Sequence, residues 1–284
     1  MGVPGYDKLC SKYTGKLMSN TSENNTSTSA GFPGYLLQHR FEIISYLAVA
    51  LTALFFICLE KTLADGALSR DGSTYLLYTH EALNNSFAAA AEKFPAMPGY
   101  PPLLVMLMFL AGKCGIDPEL AGKTLNSCCI IFAAWAILYC CFKLYKDKLT
   151  ALCTALIVIS LPKLYLEGCN IMRDPLYWAE NLWALALLLN LADERNLPLK
   201  KYFRNLLGMS LLLAAACLTR KEGFFLTLLF ALWCATLNTA SWKRKLWSVP
   251  LLLAIAAAAI TIPFLFNVPW NIKEIFLIGA GAGS

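Results

Sequence analysis

Charge is scarce in this chain. Only 15% of its 284 residues are Asp, Glu, Lys or Arg, against about 25% in an average soluble domain. With 58% hydrophobic residues and a mean hydropathy of +0.55, a soluble globular fold is excluded and an integral membrane protein is indicated. Histidine is nearly absent: His39 and His80 stand alone, and no Cys/His cluster has zinc spacing, which excludes a structural or catalytic zinc. The first forty residues lack an apolar stretch ahead of a small-residue cleavage site, so they are not a signal peptide. Cysteine is plentiful, with eleven residues, but Cys58, Cys128, Cys129, Cys140, Cys141, Cys153, Cys217 and Cys234 lie inside apolar runs. There cysteine acts as a small hydrophobe, not as part of a disulfide framework.

What is present begins with a polar, low-complexity segment, residues 1–38, read as a disordered cytoplasmic tail. Sequons at Asn20, Asn24 and Asn25 would matter only outside the cytoplasm, and Lys8, Lys12, Lys16 and Arg40 argue against that placement. Apolar runs follow at about 41–59, 101–112, 125–142, 149–166, 175–192, 206–218, 224–240 and 246–266. About 20 residues are needed to cross a bilayer, and all but 101–112 approach that with their flanks.

Three connections hold ten basic residues (Lys143, Lys146, Lys148; Arg195, Lys200, Lys201, Arg204; Lys243, Arg244, Lys245) against three acids (Asp147, Asp193, Glu194). The excess of Lys and Arg puts these connections in the cytoplasm. Residues 61–123 then start and finish on the outer face, so the 101–112 run is expected to be a re-entrant or half-membrane helix. The expected fold is an all-α polytopic membrane bundle with about seven spans. Its module covers 39–266, and 267–284 is a short outer tail or a truncated continuation.

This topology gathers Arg70-Asp71, His80-Glu81, Glu92-Lys93, Arg173-Asp174 and Arg220-Lys221-Glu222 on the outer face. Ionisable groups near a bilayer are costly and usually face a cavity or a partner. Three acid–base clusters among these, Arg70-Asp71, Arg173-Asp174 and Arg220-Lys221-Glu222, point to an anionic ligand and a carboxylate able to take a proton. The blander alternative is interfacial charge at helix ends. Residues 73–91 read as an amphipathic interfacial helix, with Leu76, Leu77, Phe87 and the alanines on the apolar side and His80, Glu81, Asn84 and Asn85 opposite, solvated. Asp71 falls at its N-terminal end, where the helix dipole favours a carboxylate. Pro95 to Pro102 is a stiff loop that either shapes a substrate entrance or serves as a connector.

The stretches Arg70-Asp71-Gly72-Ser73-Thr74-Tyr75, Gly99-Tyr100-Pro101-Pro102-Leu103, Ala121-Gly122-Lys123-Thr124-Leu125-Asn126, Arg173-Asp174-Pro175-Leu176-Tyr177 and Thr219-Arg220-Lys221-Glu222-Gly223, in that order over residues 40–240, resemble the GT-C superfamily of polyprenyl-phosphate-dependent glycosyltransferases. The likeness is to the family 39/83-like branch of protein mannosyltransferases and aminoarabinose transferases. That resemblance implies Asp71 as the catalytic acid of the first outer loop. It makes Asp174 a residue that positions the acceptor or a metal, and Arg220, Arg173 and Lys221 the donor-phosphate contacts, with Arg70, Glu222, Lys93 and Tyr100 in support.

Two departures are visible. Tyr100 stands where the aminoarabinose transferases place a lysine before the double proline, a role open to Lys93 if the loop folds back. The family also normally continues with further C-terminal spans beyond the point where Ser284 falls. The implied partners are a polyprenyl-phosphate-linked sugar donor, a lipid, glycan or protein acceptor, and the bilayer, and not nucleic acid. No cofactor is certain, and Asp71 with Asp174 are too few ligands to establish a divalent cation such as Mg or Mn. The implied location is the cell (inner) membrane, with the N-terminus in the cytoplasm and the active site on the outer or periplasmic face. Rival readings are a transporter or flippase-like protein and a non-catalytic membrane subunit. Against transport, Glu180 is the notable charge within the spans and no inverted repeat is visible.

Overall fold

The computed structural model describes residues 32–63, 68–94, 103–145, 147–168, 170–193, 198–220, 222–236 and 242–265. Every element among them is a helix: α1 (Phe32–Leu63), α2 (Arg70–Asn84), α3 (Phe87–Lys93), α4 (Leu103–Lys113), α5 (Pro118–Leu144), α6 (Lys148–Ile159), α7 (Pro162–Gly168), α8 (Asp174–Asp193), α9 (Leu199–Thr219), α10 (Gly223–Thr236) and α11 (Trp242–Leu265). The chain is a polytopic membrane helix bundle. Two compact units are distinguished, Met1–Ile44 and Ser45–Ser284. In the first, His39 Nδ1 meets Glu42 Oε2 at 3.2 Å. The candidate site described below lies in the second.

Among the described residues, three helical segments are long and apolar enough to cross a membrane: His39–Thr62, Pro118–Leu144 and Leu199–Thr219. Leu103–Lys113, Lys148–Ile159 and Gly223–Thr236 are shorter apolar helices. At 1.5 Å per residue, α4 is roughly 16 Å long, about half of a hydrocarbon core, the length expected of the 101–112 run. Along α1, Leu47, Leu51, Leu54 and Phe55 are exposed, while Val49, Ala53 and Ile57 are buried. In a bilayer that exposed stripe faces lipid, and no protein partner is needed to cover it.

Two expectations are corrected. The 149–166 run is not one helix: α6 ends at Ile159 and α7 begins at Pro162. Proline has no backbone N–H and clashes with the carbonyl four residues before it, so it starts a helix but does not continue one. The helix expected over 73–91 likewise divides. Asn85 and Ser86 break it, and Ser86 caps α3 by accepting from Ala89 N–H at 3.1 Å. The buried face of α2 is Gly72, Tyr75, Tyr78, Thr79 and Ala82. Leu77, expected on the apolar side, is 56% exposed.

Residues 32–38 of the segment read as a tail are helical. The rest of that tail, the loop from Pro95 to Pro102 and residues 267–284 lie outside the described residues. No disulfide links the described cysteines: Cys129, Cys140, Cys141, Cys217 and Cys234 are buried free thiols. With Ala133, Ala134, Ala136, Ala184 and Ala216 they provide the small side chains that let membrane helices approach closely.

Helix α8 is the centre of the bundle, packed between α5 and α9, and α9 packs in turn on α10 and α11. One apolar cluster joins Tyr75 and Tyr78 of α2 to Leu104, Val105 and Met108 of α4, Cys129 of α5, Ile171, and Leu176 of α8. The amphipathic helix is thereby docked on the bundle through its tyrosines, which sets the N-terminus of α2 beside the start of α8.

Candidate active site

The site is built around a short irregular segment, residues 170–173, that leads into α8. Asn126 of α5 is fully buried, and its side-chain amide donates to the carbonyls of Asn170 at 2.6 Å and Met172 at 2.8 Å. An amide in an apolar helix must find partners or bear its desolvation cost. Here the partners are two carbonyls of the irregular segment that leads into α8. Gly122, one turn earlier, has no room for a side chain: a Cβ there would lie 3.0 Å from Met108 Sδ and 3.3 Å from Ile171. From the other side Gly72 presses on the same residue, since its Cβ would meet the Ile171 carbonyl oxygen at 3.0 Å. The stretches Arg70-Asp71-Gly72 and Ala121–Asn126 therefore converge on Ile171.

Ser69 caps α2, accepting from Gly72 N–H at 3.0 Å. This puts Asp71 in the first turn, exposed, with no hydrogen bond or ion pair among the described residues. Tyr75 lies one turn further along the same helix face and is 4% exposed. Its phenol lies within the electrostatic reach of Arg173, Asp71, Asp174 and Arg220. Burial raises its pKa above the ordinary 10, the Arg173 charge opposing and the Asp71 charge adding to the effect. The hydroxyl thus stays a neutral hydrogen-bond donor among four charges.

At the start of α8, Pro175 suits a first turn and Asp174 precedes it. Arg220 ends α9 in an extended conformation, φ −148° and ψ 142°. Its Nη1 donates to Asp174 Oδ1, while Nε and Nη2 each donate to a Glu222 oxygen at 3.3 Å. The guanidinium also lies 5.5 Å from the centre of the Tyr177 ring. Partial burial opposes its charge, but the Glu222 hydrogen bonds and the two carboxylates outweigh that and raise its pKa.

Partial burial likewise opposes the charge on Glu222, but the Arg220 contact lowers its pKa below the ordinary carboxylate value. Gly223 makes this corner possible: a Cβ there would lie 2.6 Å from the Ala216 carbonyl carbon and oxygen. Arg173, half-buried, has no side-chain partner among the described residues.

Asp71, Arg173, Asp174 and Arg220 thus all lie within electrostatic reach of Tyr75, and Glu222 is held on Arg220. Arg70 is exposed. Lys93 is 60% exposed and turned to another partner, Glu81 Oε2 at 2.5 Å. Tyr100 and Lys221 lie outside the described residues. Tyr75, Asn126 and Tyr177 are the residues not assigned roles from sequence. The spacing of four between Asp71 and Tyr75, and an asparagine inside an apolar run, are the signals that could have found the first two. As placed, the described carboxylates do not compose a divalent-cation site: Asp174 and Glu222 both serve Arg220, and no group of three metal-ligating side chains occurs among the described residues.

A family model for dolichyl-phosphate-mannose-protein mannosyltransferases matches residues 95–275, well over half of the chain. The chain belongs to that family. It is accordingly a membrane glycosyltransferase of the GT-C superfamily, in a family whose donor is a dolichyl-phosphate sugar. The matched residues include Arg173, Asp174, Arg220, Lys221 and Glu222, but Asp71 and Tyr75 precede them. Neither the curated proteins nor the solved structures include a match to this chain.

Proposed function

We propose that the chain transfers a hexosyl or pentosyl group from a polyprenyl-phosphate donor to an acceptor hydroxyl, with inversion at the anomeric carbon. The reaction takes place on the outer or periplasmic face of the cell membrane. Asp71 is the general base. Its carboxylate takes the proton of the acceptor hydroxyl as that oxygen attacks the anomeric carbon, and the bond from that carbon to the phosphate oxygen breaks. The polyprenyl phosphate leaves with the bonding electron pair, and cations beside it stabilise the charge that develops.

Arg173 suits that role best among the described residues, because no ion pair or hydrogen bond engages its side chain there and a guanidinium can bind phosphate in two-point fashion. Arg220 and Lys221 assist. Asp174 and Glu222 hold the Arg220 fork in one orientation, so Asp174 acts through Arg220. Tyr75 donates from between the base and the cations. The acceptor, whether lipid, glycan or protein, approaches from the exposed side of Asp71.

The observation that supports this reading is a free carboxylate and a free guanidinium on separate elements, both acting on the Tyr75 phenol. The test is release of polyprenyl phosphate by purified protein given polyprenyl-phosphate mannose and an acceptor. Asp71→Asn should abolish release while membrane insertion and thermal stability stay as in the wild type. Wild-type turnover in that variant would sink the assignment.

A further inference from the structure

We propose that Glu180 is held as a neutral acid inside the bundle and acts as a positioning residue, bonding Thr219 so that the adjacent Arg220 meets Asp174. Glu180 sits on α8 six residues beyond Asp174, roughly 9 Å along the axis, and is 5% exposed. Its Oε1 lies 3.1 Å from Thr219 Oγ1, and its Oε2 is enclosed without a hydrogen-bond partner among the described residues. The titratable groups near it are the thiols of Cys129 on α5 and Cys217 on α9.

An ionised carboxylate in a bilayer interior requires a cation or several donors. The described surroundings offer one hydroxyl. That hydroxyl also lies 3.0 Å from the Ala215 carbonyl oxygen, to which it donates, and a hydroxyl carries one hydrogen. A protonated Glu180 resolves both shortages, donating to Thr219 Oγ1 while Thr219 donates to its own helix.

The placement matters because Thr219 is the last residue of α9 and Arg220 the first beyond it. Two bonds therefore join α8 to the same corner, one from Glu180 and one from Asp174. The inner bond fixes the depth at which α9 ends, and the outer one fixes where the guanidinium points. The catalytic consequence rests on the reading of Arg220 as a donor-phosphate contact, but the positioning itself can be tested without it.

The experiment compares the full chain in detergent as wild type, Glu180→Gln, Glu180→Leu and Thr219→Val. It measures two things: the rate of phenylglyoxal modification of Arg220, read by mass spectrometry, and the donor KM and kcat. Gln can donate to Thr219 as a neutral acid does, so E180Q should match the wild type in both. E180L, and T219V, which removes only a hydroxyl, should expose Arg220 and speed its modification several-fold. Both should raise donor KM severalfold while leaving acceptor KM unchanged.

Modification rates within twofold of wild type in E180L and T219V would overturn the inference. So would an E180Q that behaves like E180L, because the carboxyl would then be needed in its charged form. Faster modification with an unchanged donor KM would uphold the positioning and instead refute the phosphate role of Arg220.

Discussion

The two halves of the candidate site are built in opposite ways. At the N-terminus of α2, Asp71 is exposed and has no partner among the described residues. At the corner between α9 and α10, Arg220 is three-quarters buried and makes contacts with two carboxylates and an aromatic ring. A proton acceptor must be free to meet a substrate hydroxyl, whereas a guanidinium that frames the phosphate site and assists there gains from being aimed beforehand. The contrast assigns the moving chemistry to α2 and the fixed frame to α8 and α9.

The sharpest way to break that contrast is to neutralise each acid in turn. Removing a general base costs about 10²–10⁴ in rate, so Asp71→Asn should lose at least two orders of magnitude in kcat. Asp174→Asn, which acts only through Arg220, should lose about tenfold or less, with most of the change in donor KM. Steady-state kinetics on both variants decides it. A greater kcat loss in D174N would transfer the role of base to α8.

Removing each arginine separates frame from ligand contact. Arg220→Ala leaves Asp174, which is 16% exposed, without its cation. A fully buried broken pair costs about 3–5 kcal/mol. With the guanidinium a quarter exposed and solvent screening the charges, about 1–2 kcal/mol is the reasonable scale here. Arg173→Ala breaks no pair among the described residues and should leave the thermal midpoint where it was while raising donor KM. Equal loss of stability in the two variants would show that the free and the paired arginine are not distinct.

Much of this was legible in the sequence, for a physical reason. In a chain with so little charge, Arg70-Asp71, Arg173-Asp174 and Arg220-Glu222 stand out, and the Lys/Arg-rich connections order them. The helical runs were readable as well, because apolar length alone defines them. What escaped was pairing at a distance. Asp174 and Arg220 are 46 positions apart, and nothing local says that the arginine is already engaged.

The convergence of Gly72, Gly122 and Asn126 on the segment around Ile171 is equally silent, since a glycine under close approach looks like any other glycine. The break at Pro162 was readable from Ser160, Pro162 and Lys163, which interrupt the apolar run 149–166. Leu77 on the exposed face shows the limit of a periodicity argument when two tyrosines carry the docking.

A smaller effect tests the bridge between the halves. Tyr75→Phe keeps the buried ring and removes only the hydroxyl among the charges. A single lost hydrogen bond is worth about 0.5–1.5 kcal/mol, which corresponds to roughly a two- to twelvefold fall in kcat. Because burial raises the Tyr75 pKa above 10, its hydroxyl stays protonated below that pH. Any fall in activity between pH 8 and 10 should therefore persist unchanged in Y75F. Its disappearance in the variant would show that Tyr75 titrates in that range and that its protonated hydroxyl is the form the reaction needs.

The smallest effect belongs to Glu222, the more exposed of the two acids on Arg220, at 44%. Its pKa lies below the ordinary 4.5 because the Arg220 contact outweighs burial. A depressed carboxylate contributes stability that is present above its ordinary pKa and is lost as pH falls through the lowered value. At that exposure, screening holds the contribution to about 0.5 kcal/mol or less. Thermal midpoints of wild type and Glu222→Gln should therefore differ slightly but steadily from pH 7 down to about 5. They should converge only below pH 4.5. If no pH-dependent difference appeared at all, Glu222 would be titrating as a free surface acid. Arg220 would then be held by Asp174 alone, and the corner would be closer in character to the open end at Asp71.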